Sequence, residues 1–171
     1  MAVPRFRIEP KRSRVWIDAR SSLHPIASTT DGLEGHIDLE IRDGVIDVGA
    51  SPAGRLSLPV ARLSSGNKLQ DRELQKRIDA RHHPSIDGVL TGVDTAPDGR
   101  YLVSGELTFR GVARPVHDNM TIEIVDDRTL RLAGRSRFDI RDFGMEPPRI
   151  LMLKVEPLVD VRVDIVATRP K

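Results

Sequence analysis

Apolar and polar residues alternate with a period of two along most of the chain. That is the pattern of strands with one buried face. Over residues 34–42, Gly35, Ile37, Leu39 and Ile41 share one face, while Glu34, His36, Asp38, Glu40 and Arg42 share the other. Tyr101, Val103, Gly105, Leu107 and Phe109 stand opposite Leu102, Ser104, Glu106, Thr108 and Arg110. Val159, Val161, Val163, Ile165 and Ala167 oppose Asp160, Arg162, Asp164 and Val166. Weaker versions place Val15, Ile17 and Ala19 on one face, and Leu56, Leu58 and Val60 on another, with further strands over 86–93, 116–125 and 129–140. The sum is about eight strands, spaced as in a meander.

Asp43-Gly44, Pro97-Asp98-Gly99 and Asp126-Asp127 separate these segments with hairpin chemistry. No long helices alternate with the strands, so a parallel α/β sheet is not expected. Antiparallel strands in this number hide their edges by closing into a barrel or stacking as a sandwich. One stretch breaks the rhythm. Residues 67–80, NKLQDRELQKRIDA, are rich in helix formers, with Asn67 as N-cap and Leu74 and Ile78 four apart on one face. They predict a short amphipathic helix, ended by His82-His83-Pro84. A second exception is 144–157, where Pro147 and Pro148 forbid a regular central strand. The apolar run from Ile150 to Leu153 is read as a loop that seals a barrel end, covers a ligand mouth or meets a second subunit.

The length of 171 residues suits one domain. There are no cysteines, which excludes disulfides and thiolate metal sites. No apolar run reaches the length of a membrane span. The opening MAVPRFRIEPKRSR has no hydrophobic core of a signal peptide, so cytoplasmic residence is the expectation. Arg5, Arg7, Lys11, Arg12 and Arg14 make this start basic although the net charge is only +2. Residues 1–12 are therefore read as a solvated basic arm, open to peripheral contact with a membrane, ahead of one barrel domain over 13–168. Nucleic-acid binding is not expected, because the chain has few aromatics to interleave with its basic residues.

Chemistry is sparse. His82 and His83 are adjacent, an unfavourable spacing for sharing one metal. His24 follows Ser22 by two residues but lacks a nucleophile elbow. His36 and His117 fall on polar strand faces. Arg135, Arg137 and Arg141 alternate on a polar face beside Asp139 and Asp142, a pattern that fits cross-strand ion pairs or an anion fork. No carboxylate pair, glycine-rich phosphate loop or dinucleotide fingerprint is present. No catalytic site, metal or cofactor is expected.

Several segments, taken in order, resemble the YceI-like family. They are Leu63-Ser64-Ser65-Gly66-Asn67 with Asp71 and Leu74, then His83-Pro84-Ser85-Ile86, then Leu107-Thr108-Phe109-Arg110-Gly111-Val112-Ala113-Arg114-Pro115-Val116, then Phe138-Asp139-Ile140-Arg141-Asp142-Phe143-Gly144. The valine-rich last strand also fits. The resemblance implies an all-β, single antiparallel lipocalin-like barrel that holds a long apolar ligand such as a polyprenyl compound or isoprenoid quinone, with dimers in some members. The chain departs from the family at Ala19-Arg20-Ser21-Ser22-Leu23-His24, where an aromatic-rich first strand is usual, and in the proline-rich loop.

Burial of apolar surface is worth about 0.8 kcal/mol per methylene, so an apolar tube holds an isoprenoid chain without polar contacts. The inward positions expected to line it are Ile37, Leu39, Val103, Leu107, Phe109, Ile122, Phe138, Val161 and Val163. Arg135 and Arg137 are the candidates to meet a head group. An eight-stranded barrel is also able to fill itself with its own side chains. Lipid carrier and packed interaction protein therefore remain two open readings, with an enzyme using His24 or His83 a distant third.

Overall fold

The computed structural model describes residues 3–22, 25–150 and 152–170. It contains strands β1 (Arg5–Ile8), β2 (Arg14–Ser21), β3 (Pro25–Thr30), β4 (Glu34–Asp38), β5 (Ile41–Arg42), β6 (Val45–Ile46) and β7 (Ala53–Pro59). After helix α1 (Lys68–Ile78) come β8 (Ser85–Thr95), β9 (Tyr101–Phe109), β10 (Val112–Asp126), β11 (Thr129–Asp139), β12 (Arg149–Ile150) and β13 (Leu153–Thr168). Hydrogen bonding runs β1-β4-β7-β8-β9-β10-β11-β13 and returns to β1, all antiparallel. This is a closed eight-stranded barrel with one helix, as the alternation and the family resemblance predict.

The closure depends on β13. Along one edge it pairs with β11 from Leu158 to Thr168. Along the other it pairs first with β2, from Val155 to Asp164, and then with β1 at Ala167 and Thr168. The β2–β3 hairpin thus extends the sheet where β1 has not yet begun. An isolated bridge between Thr29 and Ser64 ties that hairpin to the loop before α1.

The expectation of a solvated arm over 1–12 is corrected here. Arg5–Ile8 is a barrel strand, and residues 10–12 form a single 3-10 turn. Phe6 is fully buried and Ile8 nearly so. The basic residues that suggested an arm alternate with them, and Arg5 pairs with Asp38 on the neighbouring strand at 2.9 Å.

The 34–42 segment is also shorter as a strand than its alternation suggests. β4 stops at Asp38, and Ile41–Arg42 pairs separately with Val45–Ile46 around the expected Asp43-Gly44 turn. Val60 leaves its strand in a 3-10 turn, yet stays buried against Ile78 and Met145. The proline-rich segment is not all loop. Arg149–Ile150 pairs with Leu153 and Lys154, and Leu153 and Val155 are buried against Ile26. Met152 is 92% exposed at the tip, and Leu151 lies outside the described residues.

Candidate functional site

In an antiparallel pair, directly opposed residues point to the same face. The register therefore fixes which side chains enter the barrel. Val103 faces inward on β9, opposite Val93 on β8 and Asp118 on β10. Leu132, Gly134, Ser136 and Phe138 face inward on β11, opposite Ile165, Val163, Val161 and Val159 on β13.

The interior has two unlike halves. At one end Phe6, Leu39 and Leu130 are fully buried and pack with Ile8, Ile46 and Ala167 into a solid floor. Toward the other end lies a cavity of about 380 Å³. Of the positions expected to face a ligand, Ile37, Val103, Leu107, Phe109, Phe138, Val161 and Val163 border it. Leu39 and Ile122 do not. Leu39 belongs to the floor, and Ile122 packs half-buried against it. Residues the sequence did not single out complete the wall, among them Ile17, Ile26, Leu56, Ile86, Leu90 and Val159.

Glycines help keep the wall thin. Gly105 has no alternative, because a Cβ there would lie 2.3 Å from the Val89 carbonyl oxygen, beside the bulge between Leu90 and Gly92.

The mouth is built from α1 and the 140–148 segment. Leu74 and Ile78 from the helix border the cavity together with Phe143, Met145 and Pro148, and Leu74, Ile78 and Met145 belong to one apolar cluster. Phe143 stacks edge-on against Phe109 at 5.8 Å and Phe138 at 6.5 Å between ring centroids. Such offset aromatic contacts favour a defined geometry.

The helix is placed by the segment that carries the family resemblance. Asn67 accepts hydrogen bonds from the backbone N–H groups of Leu69 and Gln70 at 3.0 and 3.1 Å, capping its N-terminus. Asp71 accepts from the Ser65 hydroxyl at 2.6 Å and the Ser65 N–H at 2.9 Å, which pins the preceding loop. Asp79 closes the helix in the left-handed region.

The histidines have local partners. His82 bonds Asp79 at 2.9 Å, and this holds the Asp79 carboxyl below its usual range. His83 packs beneath the β9–β10 turn, where a Cβ on Gly111 would meet its ring at 2.9 Å. His117 bonds Ser104 at 3.0 Å on the outer wall, and His36 lies 3.9 Å from Asp38. His24 lies outside the described residues. Among the described residues no group of three or more histidines and carboxylates is placed to hold a metal.

The arginines form an outer ladder. Arg137 bonds Asp160 at 2.9 Å, Arg131 bonds Asp164 at 2.8 Å, and Arg141 bonds Asp139 at 2.7 Å. Each guanidinium lowers its partner's carboxyl pKa through that hydrogen bond. Arg135 and Arg137 both occupy outward register positions, Arg135 opposite Arg162 and Arg137 opposite Asp160. Arg135 borders both the cavity and a broad depression of about 710 Å³ on the outer wall, the latter with Trp16, Arg100, His117 and Arg162. That depression is shallow in chemical terms, because Arg162 already covers the Trp16 ring at 4.0 Å.

The inner cavity carries one feature the sequence reading missed. Asp118 and Ser136 point into it, and the Ser136 hydroxyl donates to Asp118 Oδ1 at 3.1 Å. Burial pushes the Asp118 carboxyl above its usual range, against smaller opposing effects of Ser136 and His117. The signal was present, since Asp118 falls in phase with Val116, Met120, Ile122 and Ile124.

The sequence profile of the YceI-like domain matches residues 6–167. Solved structures agree in fold. BcnA of Burkholderia cenocepacia superposes with a TM-score of 0.78 at 18% identity, covering 94% of this chain and 99% of that one. A polyisoprenoid binding domain from Saccharophagus degradans, implicated in plant cell wall breakdown, gives 0.80 at 11% identity, covering 96% and 98%. The Campylobacter jejuni YCEI protein gives 0.70 at 13% identity, covering 85% and 86%. Curated proteins give no match to the chain. The profile runs from the first closing strand to the last and takes in the barrel, the cavity and the helix at its mouth: the chain belongs to the YceI-like family.

Proposed function

We propose that this protein binds and carries a long apolar isoprenoid-like lipid, a polyprenyl compound or isoprenoid quinone, inside its barrel. The observation that carries this reading is the cavity itself: about 380 Å³ of space walled by aliphatic and aromatic side chains in the mouth half of a closed barrel. A space of this size and character suits an apolar small molecule. Each methylene moved into it from water contributes about 0.8 kcal/mol, so a few isoprene units give useful affinity without a polar anchor. The structure named as a polyisoprenoid binding domain supports the same ligand class for this fold.

The function is binding rather than catalysis. The described histidines are engaged in local contacts outside the cavity, and the arginine–aspartate pairs lie on its outer wall. Leu74, Ile78, Phe143 and Met145 border the cavity, and the lipid enters between α1 and the 140–148 segment.

The test is direct. Protein purified without detergent from its native source is extracted with organic solvent and the extract analysed by mass spectrometry. The expected result is a long isoprenoid in near-equal amount to protein. Repeated extraction without lipid, together with no uptake of added polyprenols or quinones by the delipidated protein, overturns the reading.

A further inference from the structure

Among the described residues bordering the cavity, the polar ones at inward register positions are Ser28, Asp118 and Ser136; Ser104, Glu106 and Arg135 border it from outward positions. Asp118 and Ser136 adjoin each other where β10 meets β11. Only one of the two carboxyl oxygens is satisfied by the protein. Ser136 donates to Oδ1 at 3.1 Å, and among the described residues no hydrogen bond reaches Oδ2. From β9 the carboxyl is faced by Val103, and on its own strand it is flanked by Val116 and Met120. The one titratable neighbour acting on it is His117, which sits on the outer face and bonds Ser104.

A carboxyl in such surroundings is costly, and burial raises its pKa. An aliphatic residue in its place would satisfy the barrel at lower cost. Residues that break local consistency in this way mark functional sites.

The position also matters. Along β10 the inward order from the mouth is Val116, Asp118, Met120, Ile122, and Ile122 already packs on the floor. Asp118 lies part-way down the cavity, with Met120, Gly134, Leu132 and Ile165 lining it further in. A molecule whose polar group meets it therefore places that group against the side wall between mouth and floor.

We propose that Asp118 and Ser136 form a polar subsite that receives a hydroxyl on the lipid's head, the hydroxyl donating to the carboxyl, and that the same carboxyl excludes phosphorylated heads. This rests on the lipid-carrier reading above and adds the class of lipid. A neutral hydroxyl brings a donor to an acceptor that lacks one, and adds no second charge. A phosphate at the same place sets two like charges together, and among the described residues the bordering cation, Arg135, occupies an outward register position.

The experiment uses three probes with the same fifteen-carbon chain: farnesol, farnesyl phosphate and the hydrocarbon farnesene. A farnesylated hydroquinone in parallel separates a phenolic from an alcoholic hydroxyl. Binding to delipidated full-length protein is measured by calorimetry and native mass spectrometry for wild type, Asp118→Leu and Asp118→Asn. Wild type is expected to favour a hydroxyl-bearing probe over farnesene about tenfold, the value of one well-made neutral hydrogen bond, and to bind farnesyl phosphate weakest. In Asp118→Leu that ratio falls to about one while farnesene still binds, which also shows that the variant is folded. Asp118→Asn keeps an acceptor without a charge. It retains the hydroxyl preference and takes up farnesyl phosphate better than wild type, and it decides the matter should the leucine variant not fold. A wild type indifferent to the head, or a leucine variant that keeps the preference, overturns the subsite and leaves the carrier standing. No uptake of any probe by wild type overturns both.

Discussion

The two halves of the barrel interior are built from the same residue types in the same alternation, yet one is solid and the other hollow. At the floor, the four-residue strand β1 brings Phe6 and Ile8 across to Leu39, Leu130 and Ala167, and the last space is filled. At the mouth, β13 pairs with β2 instead of β1, and inward glycines at 54, 88, 105 and 134 withhold side chains from the centre. The floor spends its apolar residues on holding the barrel shut, and the mouth keeps them available. Hydrophobic alternation is thus a statement about direction. Whether an inward side chain meets another or meets space depends on what reaches it from across the barrel.

The largest effect that sharpens this contrast is truncation of a ring at each level. Phe6→Ala in the floor is expected to cost about 3–5 kcal/mol in urea denaturation, the range for a well-packed core phenylalanine. Phe109→Ala at the cavity is expected to cost about half as much or less, because its ring already borders space, and to weaken lipid uptake. Equal losses at both sites would break the distinction between the halves.

Overpacking probes the same contrast from the opposite direction, with a smaller effect. Ala167→Leu, at a fully buried floor position, is expected to cost about 1–3 kcal/mol. Gly88→Val adds its Cβ at 3.5 Å from Leu56, an ordinary contact, and projects into the cavity. It should leave the unfolding midpoint nearly unchanged and reduce lipid capacity in a titration.

A pH series reads the carboxyl within the hollow half. The folded-state pKa of Asp118 is raised, so the folded protein holds this proton where the unfolded chain has released it. Stability from this group is present below the ordinary carboxyl range of about 4 and is lost as pH rises through the raised folded value. Asp118→Asn removes that loss. The gap in denaturant midpoint between variant and wild type should therefore grow in favour of the variant as pH is raised. The outer-wall aspartates titrate alike in both proteins and cancel in the difference. A gap independent of pH would mean that the carboxyl does not sense burial.

The smallest effect is expected outside. Arg137→Ala breaks an exposed ion pair with Asp160, and pairs of this kind contribute little. Neither the melting temperature nor lipid affinity should move measurably. A loss of affinity would instead return Arg137 to a head-group role.

The residues themselves explain how far the sequence could be read. Inward and outward faces are legible where the alternation is unbroken, because period two is a local property: Val103, Leu107 and Phe109 share one face of β9, and that face borders the cavity. Height along the barrel is not local. Leu39 and Ile122 alternate as well as their neighbours do, and only the arrival of Phe6 and its surroundings assigns them to the floor. β1 itself was hidden by its arginines, which suggested a soluble arm while alternating with Phe6 and Ile8. Asp118 shows the converse. It was masked by its own polarity, although its phase with Val116 and Met120 put it on the inner face.

The pairing of β1 with the end of β13 also has a temporal meaning. Arg7 meets Thr168 and Ile8 meets Ala167, so the barrel closes through contacts between strands near opposite ends of the sequence. Contacts of such sequence separation form late and slow folding. A ribosome that has released the chain only as far as β11 holds a sheet whose β1 and β11 edges both still lack β13, with apolar faces exposed to neighbours. Closure waits for the final valine-rich strand, and until then the molecule is a curved sheet vulnerable to aggregation. The floor is therefore the part of the protein most dependent on complete synthesis, and a lipid-sized space enclosed by a finished wall exists only after the two ends have met.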